Sequence, residues 1–236
     1  MMERFGIDEV YGMHNMPGLP QGAFGMRAGG IMAASDRFEI VIEGRGGHAA
    51  RPHQTVDPVT IAAQLITTLQ TLVSRNLDPM RSAVLSVTMF HAGDAFNIIP
   101  QRVELTGTVR TLDEDVRDLM ETRLKTVTVG LVETLGGKAA VTYKRGYPVT
   151  VNAAEAVDHA ARVAAEVVGE ERVDVNTDPS MAGEDFSYML QARPGAFVFL
   201  GTGDGPELHS DTYDFNDEVI PVGVSYWVRL LEGAGA

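Results

Sequence analysis

Arg37-Phe-Glu-Ile-Val-Ile-Glu43 is the stretch on which the fold turns. Phe38, Ile40 and Ile42 alternate with Glu39, Val41 and Glu43, the period-two pattern of a strand with one buried face. Downstream, Asp57-Pro58 opens a helix, with a carboxylate at the N-cap and proline at the first helical position. Ala62, Leu65, Ile66, Leu69, Leu72 and Val73 then fall on one helical face. Ser82–Phe90 reads as a second strand. Arg102–Arg110 reads as a third, with Val103, Leu105, Gly107 and Val109 on one side. Thr111-Leu-Asp-Glu114 has the form of a capping box. The helix it would open gathers Val116, Leu119, Met120, Leu124, Val127 and Leu131 and ends at Gly136-Gly137. Ala139–Lys144 is a fourth strand. The order β-α-β-β-α-β predicts an α+β, ferredoxin-like domain over 36–147, one sheet with two helices on one face.

The flanks differ in composition. Residues 1–35 are rich in Gly, Met and Pro and predict little regular structure beyond a short strand near Val10–Met13. After Tyr147-Pro148, Asn152–Val168 reads as an Ala- and Val-rich helix and Val173–Val175 as a short strand. Gly183-Glu-Asp reads as the start of a short helix with acids in its first turn. Ala196–Gly201 is an unbroken apolar run, the pattern of a strand covered on both faces. Asn216-Asp-Glu caps a last helix reaching about Glu232. One buried strand is too little for a sheet. So 1–35 and 148–236 are expected to be two pieces of one partial α/β domain, with 36–147 inserted between them.

Composition narrows the function classes. The 236 residues carry a formal net charge of -13. With no Lys/Arg cluster to neutralise phosphates, nucleic acid is excluded as a partner. There is no cysteine, hence no disulfide and no thiolate nucleophile or ligand. The N-terminus lacks the apolar core of a signal peptide, and no run approaches the roughly 18 apolar residues that span a bilayer. A cytoplasmic protein without a membrane partner is expected.

Six histidines are the first candidates for chemistry. His159, in the Ala-rich helix, and His91, at a strand end, read as structural. His14 stands between a strand end and a Pro/Gly loop, and His209 in a loop after the buried strand. Sites in α/β sheets collect at the carboxyl ends of strands, where a neutral imidazole makes a good metal ligand. Spacing alone leaves a satisfied loop histidine open for each. His48 lies in Gly44-Arg-Gly-Gly-His-Ala-Ala, where glycines admit a close backbone or a ligand; a plain connecting loop is the alternative. His53 can bond within that same loop. Glu184 and Asp185 are adjacent, so they do not face one another, and dipole compensation accounts for them.

Six segments, in order, carry a resemblance. They are Gly12-Met-His-Asn-Met-Pro-Gly-Leu-Pro, Gly46-Gly-His-Ala-Ala-Arg-Pro-His, Phe96-Asn-Ile-Ile-Pro, Gly107-Thr-Val-Arg-Thr, Met181-Ala-Gly-Glu-Asp-Phe and Leu208-His-Ser-Asp. Together they resemble the peptidase M20 family in its hippurate hydrolase and N-acyl-amino-acid amidohydrolase branch. The resemblance implies a catalytic α/β domain with an inserted ferredoxin-like domain, and hydrolysis of a small N-acyl amino acid. It implies two divalent metals (Zn, Mn, Co or Ni) sharing a bridging water, with His14 and His209 among the ligands. It also implies that His48 reaches the scissile carbonyl oxygen, often across a dimer, that Asn97 contacts the substrate, and that a homodimer forms through the inserted domain. Family members carry, ahead of the point where this chain begins, a Cys-Gly-His-Asp type motif and a Glu-Glu pair with the general base and further ligands. Neither is in this sequence. The expectation is therefore an incomplete piece, inactive when isolated; a non-catalytic dimerisation module is the alternative.

Overall fold

Phe38, Ile40 and Ile42 are fully buried in the computed structural model, which describes residues 2–233. The chain begins with α1 (Met2–Phe5), β1 (Val10–Pro17), β2 (Phe24–Gly25) and β3 (Gly29–Met32). Then come β4 (Ala34–Glu43), β5 (Gly47–His48), α2 (Pro58–Asn76), β6 (Ala83–Ala92), β7 (Ile98–Ile99), β8 (Arg102–Thr111), α3 (Glu114–Thr134) and β9 (Lys138–Arg145). It finishes with β10 (Thr150–Asn152), α4 (Ala154–Val168), β11 (Val173–Asp174), α5 (Ser187–Ala192), β12 (Gly195–Gly203) and α6 (Ile220–Gly233). Two compact units divide these elements. The second unit is Ala33–Val149 with Met181–Gly183; the first takes the remainder.

In the second unit, an antiparallel sheet runs β6-β8-β4-β9. Alternate residues of β4 and β8 are buried, and they share a core with Leu65, Leu69 and Leu72 of α2 and Met120 and Leu124 of α3. Gly107 belongs here because a Cβ on it would lie 2.2 Å from Cζ of Phe38. Asp57 caps α2 as expected, its Oδ1 accepting from the Val59 amide at 2.9 Å. The capping box on α3 does not form. Thr111 is still paired in β8, opposite Ala34 and Ala83, and the N-cap is Asp113, whose carboxylate accepts from Arg81 instead of the helix amides. Glu114 turns to Arg117 and the Val149 amide.

Arg81 also forks onto Asp115, and these hydrogen bonds hold the Asp115 carboxyl down to about 2. A depressed carboxyl contributes stability above its unfolded value of 3.8 and loses it as pH falls through about 2. Arg81→Met should therefore lower the urea midpoint at pH 5 while leaving it nearly unchanged below pH 2, which parallel urea titrations would read.

The first unit departs from expectation first in its sheet. It has its own four-stranded sheet, ordered β1-β12-β2-β11, and a separate β10-β3 pair. β1 runs parallel to β12, with His14 opposite Phe199. β1 bears out the short strand expected near Val10–Met13 and extends it to Pro17. β2 and β3 were illegible because they are two and four residues long, too short to display a period. β12 is buried along nearly its whole length, as its apolar run predicts. α4 and α6 bury Val157, Ala160, Tyr226 and Leu230 in the same core as Val198 and Leu200 of β12. α5 begins at Ser187, so Glu184 and Asp185 precede the helix. Glu184 closes the turn before it, its Oε1 accepting from the Phe186 amide at 3.1 Å and its carbonyl from the Ser187 hydroxyl at 2.6 Å. Among the described residues no helix is long and apolar enough to cross a membrane.

Candidate metal-ligating and substrate-binding residues

In the first unit, His14 stands in the C-terminal half of β1. Its Nδ1 lies 2.7 Å from the carbonyl oxygen of Asn15. A carbonyl only accepts, so Nδ1 carries the proton and Nε2 keeps its lone pair. A backbone carbonyl holding one ring nitrogen while the other stays open is the arrangement found behind metal-ligating histidines. β1 and β12 are parallel, so the loop leaving β12 starts from the same sheet edge that His14 approaches. That loop carries His209. It is tied back beside His14, because Asn15 Nδ2 donates to the Tyr213 hydroxyl. His209 is exposed and has φ +66°, the one left-handed non-glycine backbone among the described residues. The Ser210 amide donates to the Glu207 carbonyl at 3.2 Å in the turn that imposes it.

In the second unit, the structure brings His48 and Asn97 together. β5 pairs with β7, His48 opposite Ile98, and the Ala49 amide donates to the Asn97 carbonyl at 3.0 Å. The glycine motif is explained by this approach: a Cβ on Gly46 would sit 2.7 Å from the Ile99 carbonyl oxygen. His48 Nδ1 accepts the Ala50 amide at 3.1 Å, so in the neutral ring Nε2–H is the free donor. His14 and His48 therefore hold opposite tautomers, one with a lone pair to offer and the other with a proton.

Of the other histidines, His53 lies in a 3-10 turn, His91 is exposed on β6, and His159 packs edge-on against Tyr11 at 6.2 Å between ring centroids. Reading motifs alone missed Arg110 of Gly107-Thr-Val-Arg-Thr. It is half-buried, donates to the Ser35 hydroxyl, and lines a concave sheet face of about 490 Å³ with Thr106 and Thr108. Among the described residues it forms no ion pair (every other partly buried arginine of the second unit has a carboxylate or carbonyl partner). Also among them, no group of three His, Asp or Glu side chains is placed to hold a metal ion. His14 fits such an ion as one donor, but zinc sites use three or four protein ligands. These residues do not by themselves make a complete metal site.

The sequence model of peptidase family M20/M25/M40 matches residues 1–233. The chain belongs to this family. Its M20 relatives include the hippurate hydrolase of Campylobacter jejuni, 39% identical over 98% of this chain and 60% of that protein. An N-acetyl-L-cysteine deacetylase of Bacillus subtilis is 41% identical over 96% of this chain and 55% of its own length. Among solved structures, a B. subtilis protein described as a dinuclear metal-binding M20 peptidase superposes with a TM-score of 0.80 at 32% identity, covering 95% of this chain and 56% of that one. A structure from methicillin-resistant Staphylococcus aureus gives 0.87 at 26% identity over 96% of this chain and 58% of that one. The chain thus spans a little over half the length of the M20 proteins it matches.

Proposed function

We propose that this M20 chain is part of a metal-dependent amidohydrolase that cleaves N-acyl amino acids such as hippurate, and that it is an incomplete piece of that enzyme. The observation that carries the reading is the tautomer of His14, whose Nε2 lone pair stays open at the sheet edge from which the His209 loop also leaves. His14 and His209 are the proposed metal ligands, and a dinuclear relative supports two divalent ions. His48, with Nε2–H free, is the donor for the scissile carbonyl oxygen, where negative charge develops. Asn97 contacts the substrate, and Arg110 supplies the cation for its carboxylate. The strand order of the second unit supports a ferredoxin-like insertion over about 36–147. A homodimer through it is supported by the open edge strand β6, which exposes Val84, Met89 and Phe90. The lack of cysteine suits a cytoplasmic protein.

Zinc binding by the chain, followed by calorimetry, tests the ligands apart from turnover. His14→Ala and His209→Asn are both expected to weaken it, asparagine being chosen because it tolerates the left-handed backbone at 209. Affinity unchanged by either substitution would sink the assignment. Hydrolysis of hippurate with added Mn²⁺ or Zn²⁺ is expected to be absent or very slow for the isolated 236 residues. A normal rate abolished by His209→Asn would confirm the hydrolase and overturn the incomplete-piece part.

A further inference from the structure

The β4–β8 ladder ends at Glu43 opposite Arg102, and the short β5–β7 ladder begins at Gly47 opposite Ile99. Between them the ladder is interrupted over Gly44-Arg45-Gly46, where Arg45 pairs instead with Val56. One backbone bond survives in the gap, from the Gly44 amide to the Gln101 carbonyl at 2.9 Å. The rest is done by a side chain. Gln101 Nε2 donates to the Gly44 carbonyl at 3.0 Å, and Gln101 Oε1 accepts the Gly46 amide at 3.1 Å. The carboxamide thus takes the place of a missing strand residue, donor to one backbone group and acceptor to the next. On the other flank Arg45 exchanges backbone bonds with Val56 at 2.9 and 3.0 Å. The segment leading into His48 is therefore clamped from both sides, and the clamp on the Asn97 side is Gln101.

We propose that Gln101 is a positioning residue that holds His48 and Asn97 side by side. The inference rests on the amidohydrolase reading, in which both meet the substrate. Gln101 itself touches neither. It acts through Gly44 and Gly46, which fix the direction in which the chain enters β5, and so where the His48 ring points and whether its Nδ1 stays within reach of the Ala50 amide. A carboxamide is required because the gap presents one acceptor and one donor. Glutamate can serve only the Gly46 amide and sets its charge against the Gly44 carbonyl. Alanine serves neither.

The experiment uses the 236-residue chain, labelled with ¹⁵N. In Gln101→Ala the amides of Gly46 and Ala49 are expected to exchange about tenfold faster. The His48 ring should pass from a single Nε2–H form to a mixture of tautomers, read by long-range ¹⁵N–¹H correlation. Gln101→Glu should fall between wild type and alanine. Val141→Ala, at a half-buried core position of β9, lowers stability without touching the clip, and should leave the His48 ring signals unchanged. Wild-type exchange and an unchanged His48 ring in Gln101→Ala would overturn the proposal, as would a His48 ring that Val141→Ala disturbs equally. Hippurate titrated into the labelled chain separates the two readings. Shifts of the His48 and Asn97 signals that Gln101→Ala weakens support both. Shifts undiminished in Gln101→Ala overturn the role of Gln101. No shift at His48 or Asn97, with the clip opened by Gln101→Ala, removes the amidohydrolase role of His48 and leaves the positioning of its ring by Gln101 in place.

Discussion

Asp36→Asn is expected to destabilise the second unit by about 3–5 kcal/mol, the loss typical of breaking a buried ion pair from one side. The side chains of Asp36 and Arg117 are 1% and 5% exposed. Asp36 Oδ2 accepts from Arg117 Nε at 2.9 Å and from the Tyr143 hydroxyl at 2.9 Å. Its Oδ1 accepts from Arg117 Nη2 at 2.6 Å and from the Gly146 amide at 3.1 Å. All four partners are donors. Asparagine would turn an NH₂ toward two of them, keep one oxygen for a single guanidinium bond, and leave the buried cation with Glu114 as its one carboxylate partner. The hub joins β4, α3 and the end of β9, so its loss is felt across the core. Urea unfolding measures it, and a cost under 1 kcal/mol would refute it. The double variant Asp36→Leu/Arg117→Met should be less destabilised than either single change, because no charge is then left unpaired.

Nothing in the spacing of Asp36 and Arg117 announces this pair, which lies 81 residues apart. What could be read was periodic. β4, α2 and β8 bury most of the positions that their alternation or helical spacing picks out, because each is long enough to show two or more repeats. α3 buries Val116, Met120 and Leu124 but leaves Leu119, Val127 and Leu131 only partly buried, and β9 is half-buried at alternate positions. The failures were local chemistry overruled by long-range pairing. Thr111 has the right offset from Glu114 for a capping box, but the sheet holds it until the strand ends. β2 pairs with β11 and β12 over sequence gaps of roughly 150 residues or more, which no local pattern encodes.

The candidate site was legible in parts. His14, His48 and His209 could be picked out because imidazoles stand in glycine- and proline-marked stretches, and Asn97 only through the resemblance carried by Phe96-Asn-Ile-Ile-Pro. That His48 and Asn97 are neighbours was not legible, since it depends on the β5–β7 pairing. Nor were the opposite tautomers of His14 and His48, which follow from a carbonyl at Asn15 and an amide at Ala50. Arg110 stood in a quoted motif without a role. Its signal is a half-buried strand arginine that forms no ion pair among the described residues, and only the folded sheet displays that.

Asn152→Ala is expected to cost the first unit about 3 kcal/mol or more. The sequence reads Asn152 as the opening of α4, yet it is the last residue of β10, 2% exposed, and its side chain points to β12. Its Oδ1 accepts the Phe197 amide at 2.7 Å, while its Nδ2 donates to the Phe197 carbonyl at 2.9 Å and to the Arg27 carbonyl at 3.0 Å. β2 covers that edge of β12 only at Phe199 and Leu200, so at Phe197 the carboxamide stands in for a strand. Alanine leaves one amide and two carbonyls buried without partners, each a loss of roughly 1–3 kcal/mol before relaxation. Aspartate keeps the acceptor for the Phe197 amide but sets negative charge against both carbonyls, and should do worse than alanine. Urea midpoints and the exchange rate of the Phe197 amide are the measurements; wild-type values in Asn152→Ala would refute the role. The effect should reach β1, because the Phe197 ring fills the space a side chain on Gly12 would need, with a built Cβ only 2.6 Å away, and lies 6.3 Å from the His14 ring. An amide that completes β12 therefore also sets the wall against which the proposed metal ligand rests.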